Sequence, residues 1–214
     1  SDLKILGDTV EKIAAEKCGI IKNGGTVITT SEQNEKALSV IKDTVKEKNG
    51  RLLIGDVSAA EILSEDIFGT EISYNGLTVK IPLVGRHQVE NTVGVITAAR
   101  ALGISDEFIK KGIESTVIHA RMEIISRSPV IMLDGGHNPE CAAALENVLV
   151  RFAGDKSITV LIGMMADKDT KDYLAAILPH CKTAVFTKPS NPRAEDENVL
   201  LREGKCFCRD VVSV

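Results

Sequence analysis

Tryptophan is absent from this sequence, and aromatic residues make up only 3% of its 214 positions. A core built from it has to be aliphatic. Long apolar runs are missing too. None approaches the ~20 residues a membrane helix needs, and the start Ser1-Asp2-Leu3-Lys4 has no signal-peptide pattern. Cysteine is sparse, odd in number and scattered, at positions 18, 141, 181, 206 and 208. Paired Cys-x-x-Cys spacing is missing, and Cys206-x-Cys208 stands alone, which argues against a zinc site. Reduced thiols in the cytoplasm are the plain reading. An excess of positive charge is lacking as well. The net charge of -4 leaves no electrostatic footprint for nucleic acid. Neither nucleic acid nor membrane is expected as a partner.

The residues that are present are those of an ordinary soluble globular protein. Hydrophobic residues make up 43% and charged residues 26%, enough for one large domain or two small ones. Residues 25–30 read as a short buried strand, 33–48 as a helix with Ala37, Val40, Ile41 and Val45 on one side, and 51–55 as a second strand. That βαβ order predicts parallel pairing. Residues 70–83 alternate around Asn75-Gly76, a hairpin signal. Helical spacing returns from Val89 to Leu102, and Gly103 closes it. The pattern loosens over residues 115–120, where a domain boundary is expected, giving domains 1–118 and 119–214. Beyond it, βα alternation restarts: strand 130–133, helix 139–152, strand 158–163, helix 170–178, strand 183–187, with room for one more strand before Val214. The reading is two successive α/β units, the second with a thin parallel sheet that looks truncated.

Five places combine chemistry with a strand end or a helix start. At Asp134-Gly135-Gly136-His137-Asn138-Pro139 an apolar strand ends, two glycines turn the chain, and Asn-Pro opens a helix. Ligands sit beyond the carboxyl ends of parallel strands, and a helix N-terminus favours anions. Asp134 can accept from ribose hydroxyls, and His137 can meet a base or phosphate. The competing reading is that both merely brace the turn. Lys17 falls on the apolar stripe of Val10, Ile13 and Ala14, in a helix capped by Asp8 with Glu11 three residues on. A buried lysine is costly unless paired or neutralised, although snorkelling would also serve it. Gly85-Arg86-His87-Gln88-Val89-Glu90-Asn91 opens a helix with polar groups, among which Asn91 suits an adenine edge; a capping cluster is the alternative. Arg121-Met122-Glu123 follows the presumed joint. Arg121 there can reach a phosphate or pair with Glu123. Residues 163–169, ending Asp167-Lys168-Asp169, can bind substrate or cap the next helix.

Together these segments resemble folylpolyglutamate synthase / dihydrofolate synthase, of the Mur ligase superfamily. The resemblance runs from Leu6 to about Leu200. It rests on Leu6-Gly7-Asp8-Thr9 through Glu16-Lys17-Cys18-Gly19-Ile20-Ile21-Lys22, Gly85-x-His87-Gln88-x-x-Asn91, Arg121-Met122-Glu123, Leu133-Asp134-Gly135-Gly136-His137-Asn138-Pro139, Asp167-Lys168-Asp169 and Pro192-Arg193-Ala194. Cys18 and Gly136 stand where the family usually has Ala, and Ala120 where it usually has Gly. The Lys17 motif favours the folate enzymes over their cell-wall relatives.

The resemblance implies a partial central ATPase domain followed by a Rossmann-like ligase domain, both α/β. It implies an ATP-dependent ligase that joins L-glutamate to a folate or dihydropteroate through an acyl phosphate, with magnesium offsetting the phosphate charge. Lys17 would be carbamylated and bind magnesium, Asn91 would contact adenine, Arg121 the terminal phosphates and Asp134 the ribose, and His137 would lie near the nucleotide. The Gly-rich phosphate loop of the family is not in these residues, and Asp2 stands where its magnesium-binding histidine is expected. The chain therefore reads as a C-terminal portion, inactive and a poor ATP binder by itself, of a parent expected to be monomeric. A cell-wall amino-acid ligase and a non-catalytic nucleotide-binding or assembly module are the other readings.

Overall fold

The computed structural model describes residues 8–154 and 156–214. The chain divides into two compact units. One takes the chain up to Ser64, with Thr70–Pro82 and His87–Thr116. The other takes Glu65–Gly69, Leu83–Arg86 and Val117–Val214.

In the first unit, helix α1 (Val10–Cys18) is capped by Thr9, whose hydroxyl accepts the Lys12 N–H at 3.2 Å. The expected cap, Asp8, instead pairs with Lys12 at 2.7 Å, because its carboxylate lies one turn from that ammonium. Strand β1 (Thr26–Thr30) leads through α2 (Glu35–Glu47) to β2 (Arg51–Gly55), which runs parallel to β1 in the register Thr26↔Arg51. A helix between two strands forces this direction, since only a long crossover returns the chain to the same edge. Asn34 caps α2 by accepting the Lys36 and Ala37 N–H groups.

Next come β3 (Ala60–Asp66), β4 (Gly69–Tyr74) and β5 (Leu77–Ile81), a three-stranded sheet in that order. The β4–β5 hairpin pairs Tyr74 with Leu77 across Asn75-Gly76. Both turn residues have positive φ, 47° and 82°, as a two-residue hairpin loop requires. Helix α3 (Arg86–Ala101) starts three residues before the apolar spacing does, and α4 (Asp106–Glu114) packs on β5. At Gly55 a Cβ would meet Val93 Cγ1 at 2.8 Å, so the end of β2 touches α3 closely.

In the second unit, β6 (Glu123–Arg127) pairs antiparallel with β7 (Val130–Leu133). Two residues join them, and that length permits only an antiparallel neighbour. Then follow α5 (Pro139–Phe152), β8 (Thr159–Ile162), α6 (Thr170–Ile177), β9 (Thr183–Phe186), α7 (Glu197–Gly204) and β10 (Asp210–Ser213). Strands β10-β9-β8 form the parallel sheet. The expectation of a parallel sheet starting at 130–133 is thus corrected: among the described residues, β7 belongs to a two-stranded ribbon, and β10 is the third parallel strand.

The core of this unit is aliphatic around one ring. Phe186, Leu174, Ile177, Leu178 and Leu200 are at most 1% exposed. A Cβ on Gly204 would run into the Phe186 ring, 2.6 Å from Cε2. Helix propensity favours Ala over Gly by about 1 kcal/mol, while overpacking costs about 1–3 kcal/mol. Gly204→Ala should therefore lower stability by up to about 2 kcal/mol, read as a lower urea midpoint. A raised midpoint would show that the ring yields.

Candidate functional site

The turn after β7 is tied to the segment before β6. Asp134 Oδ2 accepts the Met122 N–H at 3.0 Å, and Oδ1 accepts the Gly136 N–H at 2.8 Å. The Gly135 N–H donates to the Ala120 carbonyl at 2.8 Å. His137 Nδ1 donates to the Gly135 carbonyl at 3.0 Å, since a carbonyl can only accept. Asn138 caps α5 by accepting the Cys141 N–H at 2.8 Å, with Pro139 at the first helical position. The sequence alone offered bracing and ligand contact as alternatives for Asp134. Its carboxylate does brace, yet each oxygen keeps a second lone pair for a hydroxyl.

Arg121 is brought against this turn. Its Nη1 donates to the Ala120 carbonyl at 3.3 Å, and a Cβ on Gly135 would lie 3.2 Å from that nitrogen. Arg121 is exposed, and no carboxylate pairs with it among the described residues. The alternative pairing with Glu123 does not form. Glu123 Oε2 accepts the Ala120 N–H at 2.9 Å, and Oε1 lies 2.9 Å from His119 Nδ1. The Ala120 N–H, and after it His119, hold the Glu123 carboxyl below the usual glutamate range.

The backbone on both sides of Arg121 is unusual. Ala120 has φ 53° and Met122 φ 49°. L-residues reach this region only at a cost, and glycine reaches it freely. That accounts for the glycine usual at position 120 in the resembling family. At Gly136 the space is closed instead: a Cβ would sit 2.8 Å from Cys141 Cβ.

The first unit carries Lys17 and Asn91. Lys17 is exposed, and the buried residues of α1 are Ala14 and Cys18. The expectation of a lysine on the buried stripe is corrected: the buried line runs one residue away. Lys17 instead edges an open, mainly apolar cavity of about 360 Å³, which Ile13, Ile21, Val27, Ala37 and Ile41 also line. Burial therefore gives no reason for its carbamylation. In α3, Gln88 is buried, and its Nε2 lies 3.0 Å from His87 Nε2. Its Oε1 accepts from Asn91 Nδ2 at 3.4 Å. Asn91 is exposed at the end of this chain of amides. Leu6, Gly7 and Asp2, which entered the sequence argument, lie outside the described residues.

Asp169 is a helix cap, accepting the Asp172 N–H at 3.4 Å, while Lys168 lies 3.6 Å from Asp167. Residues 164–166 are zipped to 193–195 by Ala166 N–H to the Arg193 carbonyl and Glu195 N–H to the Met164 carbonyl, both 2.9 Å. Lys188 pairs with Asp196 beside this loop at 3.6 Å. Sequence reasoning named Arg193 only through the resemblance and missed the zipper, which has no local signal. Among the described residues, no three His, Cys, Asp or Glu side chains cluster to hold a metal ion. No helix there is long and apolar enough to cross a membrane.

The family model "Mur ligase, glutamate ligase domain" matches residues 120–212. This stretch is therefore similar to that domain. Similarity extends over almost the whole chain. A probable bifunctional folylpolyglutamate synthase/dihydropteroate synthase of Halobacterium salinarum is 32% identical, over 92% of this chain and 24% of its own length. The crystal structure of folylpolyglutamate synthase from Thermotoga maritima superposes with a TM-score of 0.85 at 27% identity, covering 97% of this chain and 51% of that one. Escherichia coli FolC in complex with DHPP and ADP gives a TM-score of 0.79 at 26% identity, over all of this chain and 50% of that one. The chain is thus homologous to folylpolyglutamate/dihydrofolate synthases, and spans about half the length of these solved relatives. The mixed α/β fold of the homologous structures is the fold seen here.

Two outcomes follow from the geometry around Arg121. Ala120→Gly relieves a left-handed residue, worth about 1–2 kcal/mol, and loses about 0.4–1 kcal/mol to the looser unfolded chain. The midpoint of urea unfolding should rise by the small difference, and a fall would remove the strain argument. Glu123 has its folded pKa below its unfolded one, so its contribution is present above the unfolded value and is lost as pH falls through the folded value. NMR titration should show residues 119–123 moving together in that acid window, and Glu123→Gln should abolish the transition.

Proposed function

We propose that this chain is the C-terminal part of an ATP-dependent ligase that adds L-glutamate to a folate, to dihydropteroate, or to both. In this reading residues 1–118 are the C-terminal part of the central ATP-binding domain, and 119–214 are the ligase domain. The observation that carries it is Arg121: a guanidinium without a carboxylate partner among the described residues, fixed against the Gly135 turn of a glutamate ligase domain. An unpaired arginine suits the charge of terminal phosphates, which it can meet with two parallel N–H groups. The ADP of the homologous Escherichia coli complex supports a nucleotide at this family's site.

The remaining roles fit their surroundings. Asp134 has lone pairs left for ribose hydroxyls. His137 uses Nδ1 on the turn, which leaves Nε2 facing outward as an acceptor in the neutral ring. Asn91 offers Oδ1 and one N–H to an adenine edge. Magnesium is commonly held by one or two carboxylates plus the nucleotide's own phosphates. From the described residues it would need only the carbamate of Lys17, an exposed amine open to carbon dioxide. When bound, the ion would offset charge on the transferred phosphoryl group. The protein's own part is positioning: Arg121 orients the phosphates, and the Asp134 turn fixes the ribose so that the acyl phosphate forms in register with the attacking glutamate amine. The parent enzyme is read as cytoplasmic and monomeric.

The test is glutamate incorporation with coupled ADP release, on dihydropteroate, reduced folates and UDP-linked cell-wall precursors. The 214-residue chain alone should show no turnover. A polypeptide that joins it to a segment with the Gly-rich phosphate loop should ligate the folates. There Arg121→Ala should lower kcat by about 10²–10³, the usual loss for one charge-stabilising donor. Turnover only with the UDP-linked panel, or an Arg121→Ala enzyme as fast as its parent, would sink the reading.

A further inference from the structure

Three asparagines precede glycine in this chain: Asn23-Gly24, Asn49-Gly50 and Asn75-Gly76. In each the glycine nitrogen is a potential internal nucleophile toward the asparagine amide, because no side chain shields it. The structure treats the three differently. The Gly24 N–H donates to the Lys48 carbonyl at 2.8 Å, and the Gly50 N–H to the Val45 carbonyl at 2.8 Å. Gly50 is also crowded: a Cβ there would lie 2.7 Å from the Gly25 carbonyl oxygen. Gly76 has open space around it, and its N–H makes no hydrogen bond among the described residues.

The peptide group that carries the Gly76 N–H has a further feature. Its carbonyl, that of Asn75, accepts a hydrogen bond from Arg100 Nη2 at 3.2 Å. Arg100 is held in place by Asp106, through Nε at 2.9 Å and Nη2 at 2.8 Å, and that pairing raises its pKa further. A fixed cation on the carbonyl oxygen stabilises the amidate formed when the amide nitrogen loses its proton. The nitrogen whose acidity is raised is the one that has to attack.

We propose that Asn75 is a site of self-catalysed deamidation, selected over Asn23 and Asn49 by its free Gly76 N–H and by Arg100. Hydroxide takes the Gly76 amide proton. The nitrogen forms a bond to Asn75 Cγ, the Cγ–Nδ2 bond breaks, and ammonia leaves once its nitrogen is protonated. Water then opens the cyclic imide at either carbonyl and gives aspartate or isoaspartate, so asparagine plus water becomes an acid plus ammonia. Isoaspartate adds a backbone carbon to a two-residue loop and breaks the Tyr74↔Leu77 register. The α4 helix packs on β5, the strand that this loop starts.

The experiment ages the intact 214-residue chain at mildly alkaline pH and maps the peptides by mass spectrometry, with isoaspartate methyltransferase labelling as the second readout. Asn75 should convert about tenfold faster than Asn23 or Asn49, the scale of one hydrogen bond to a charged group. Arg100→Met should remove that advantage, and Arg100→Lys should restore part of it. Equal conversion at the three sites, or a preference for Asn23 or Asn49, overturns the proposal. So does an Arg100→Met chain that is folded by circular dichroism and still converts Asn75 at the parent rate. If that variant fails to fold, the wild-type ranking decides alone.

Discussion

The Asp134 carboxylate is the constraint on which the candidate site depends. Its two oxygens receive N–H groups from two places, Met122 before β6 and Gly136 within the turn itself. Such charge-assisted bonds are about twice as strong as neutral ones. They set the distance between the 120–122 segment and the Gly-Gly turn, and the Gly135 N–H to Ala120 carbonyl bond fixes their register. Without Asp134, the Met122 N–H and the turn N–H would both lose their partner. The position of Arg121 is a consequence, because its own backbone lies between Ala120 and Met122.

Legibility in the sequence followed the length and regularity of each local pattern rather than the number of residues an element buries, since α2 has only Ala37 and Val45 buried. The β1-α2-β2 unit was readable because β1 and β2 are short apolar strands and α2 shows regular spacing. The β4–β5 hairpin was readable from Asn75-Gly76 alone, because few residue pairs tolerate two positive φ angles. Helices α4 and α7 left little trace. Only Ile109 and Ile113 are buried in α4, and only Leu200 and Gly204 in α7. At 9 and 8 residues, against 13 in α2, these two helices are too short for a repeat to show. Strand β6 hid in five residues with mixed burial, and its absence from the sequence reading is what put β7 in the wrong sheet.

The site shows the same division. The Asp134 turn was legible because capping and turn chemistry are local: Asn138, Pro139 and two glycines declare themselves. The bracing of Asp134 by Met122 was not, since it joins residues twelve apart through a backbone N–H that carries no side-chain signature. The placement of Lys17 failed for a different reason. A spacing of i, i+3, i+4, i+7 from Val10 reaches Lys17, but Val10 is itself 40% exposed. The buried pair is Ala14 and Cys18, so the stripe was phased on the wrong residue. Apolar groups on an incompletely covered helix do not identify its buried face.

Strain and charge then point the same way at Arg121. Two non-glycine residues with positive φ flank it, each held there by bonds to a carboxylate: Ala120 by Glu123, Met122 by Asp134. Backbone strain of this kind, about 1–3 kcal/mol per residue, persists only where surrounding bonds over-determine it. Here the over-determination has a specific result. Both nearby carboxylates accept backbone N–H groups, and among the described residues neither forms an ion pair with the guanidinium between them. The strained loop holds Arg121 between them with no carboxylate partner among the described residues. An external anion that bound only the native state would offset the stability this arrangement costs, by mass action.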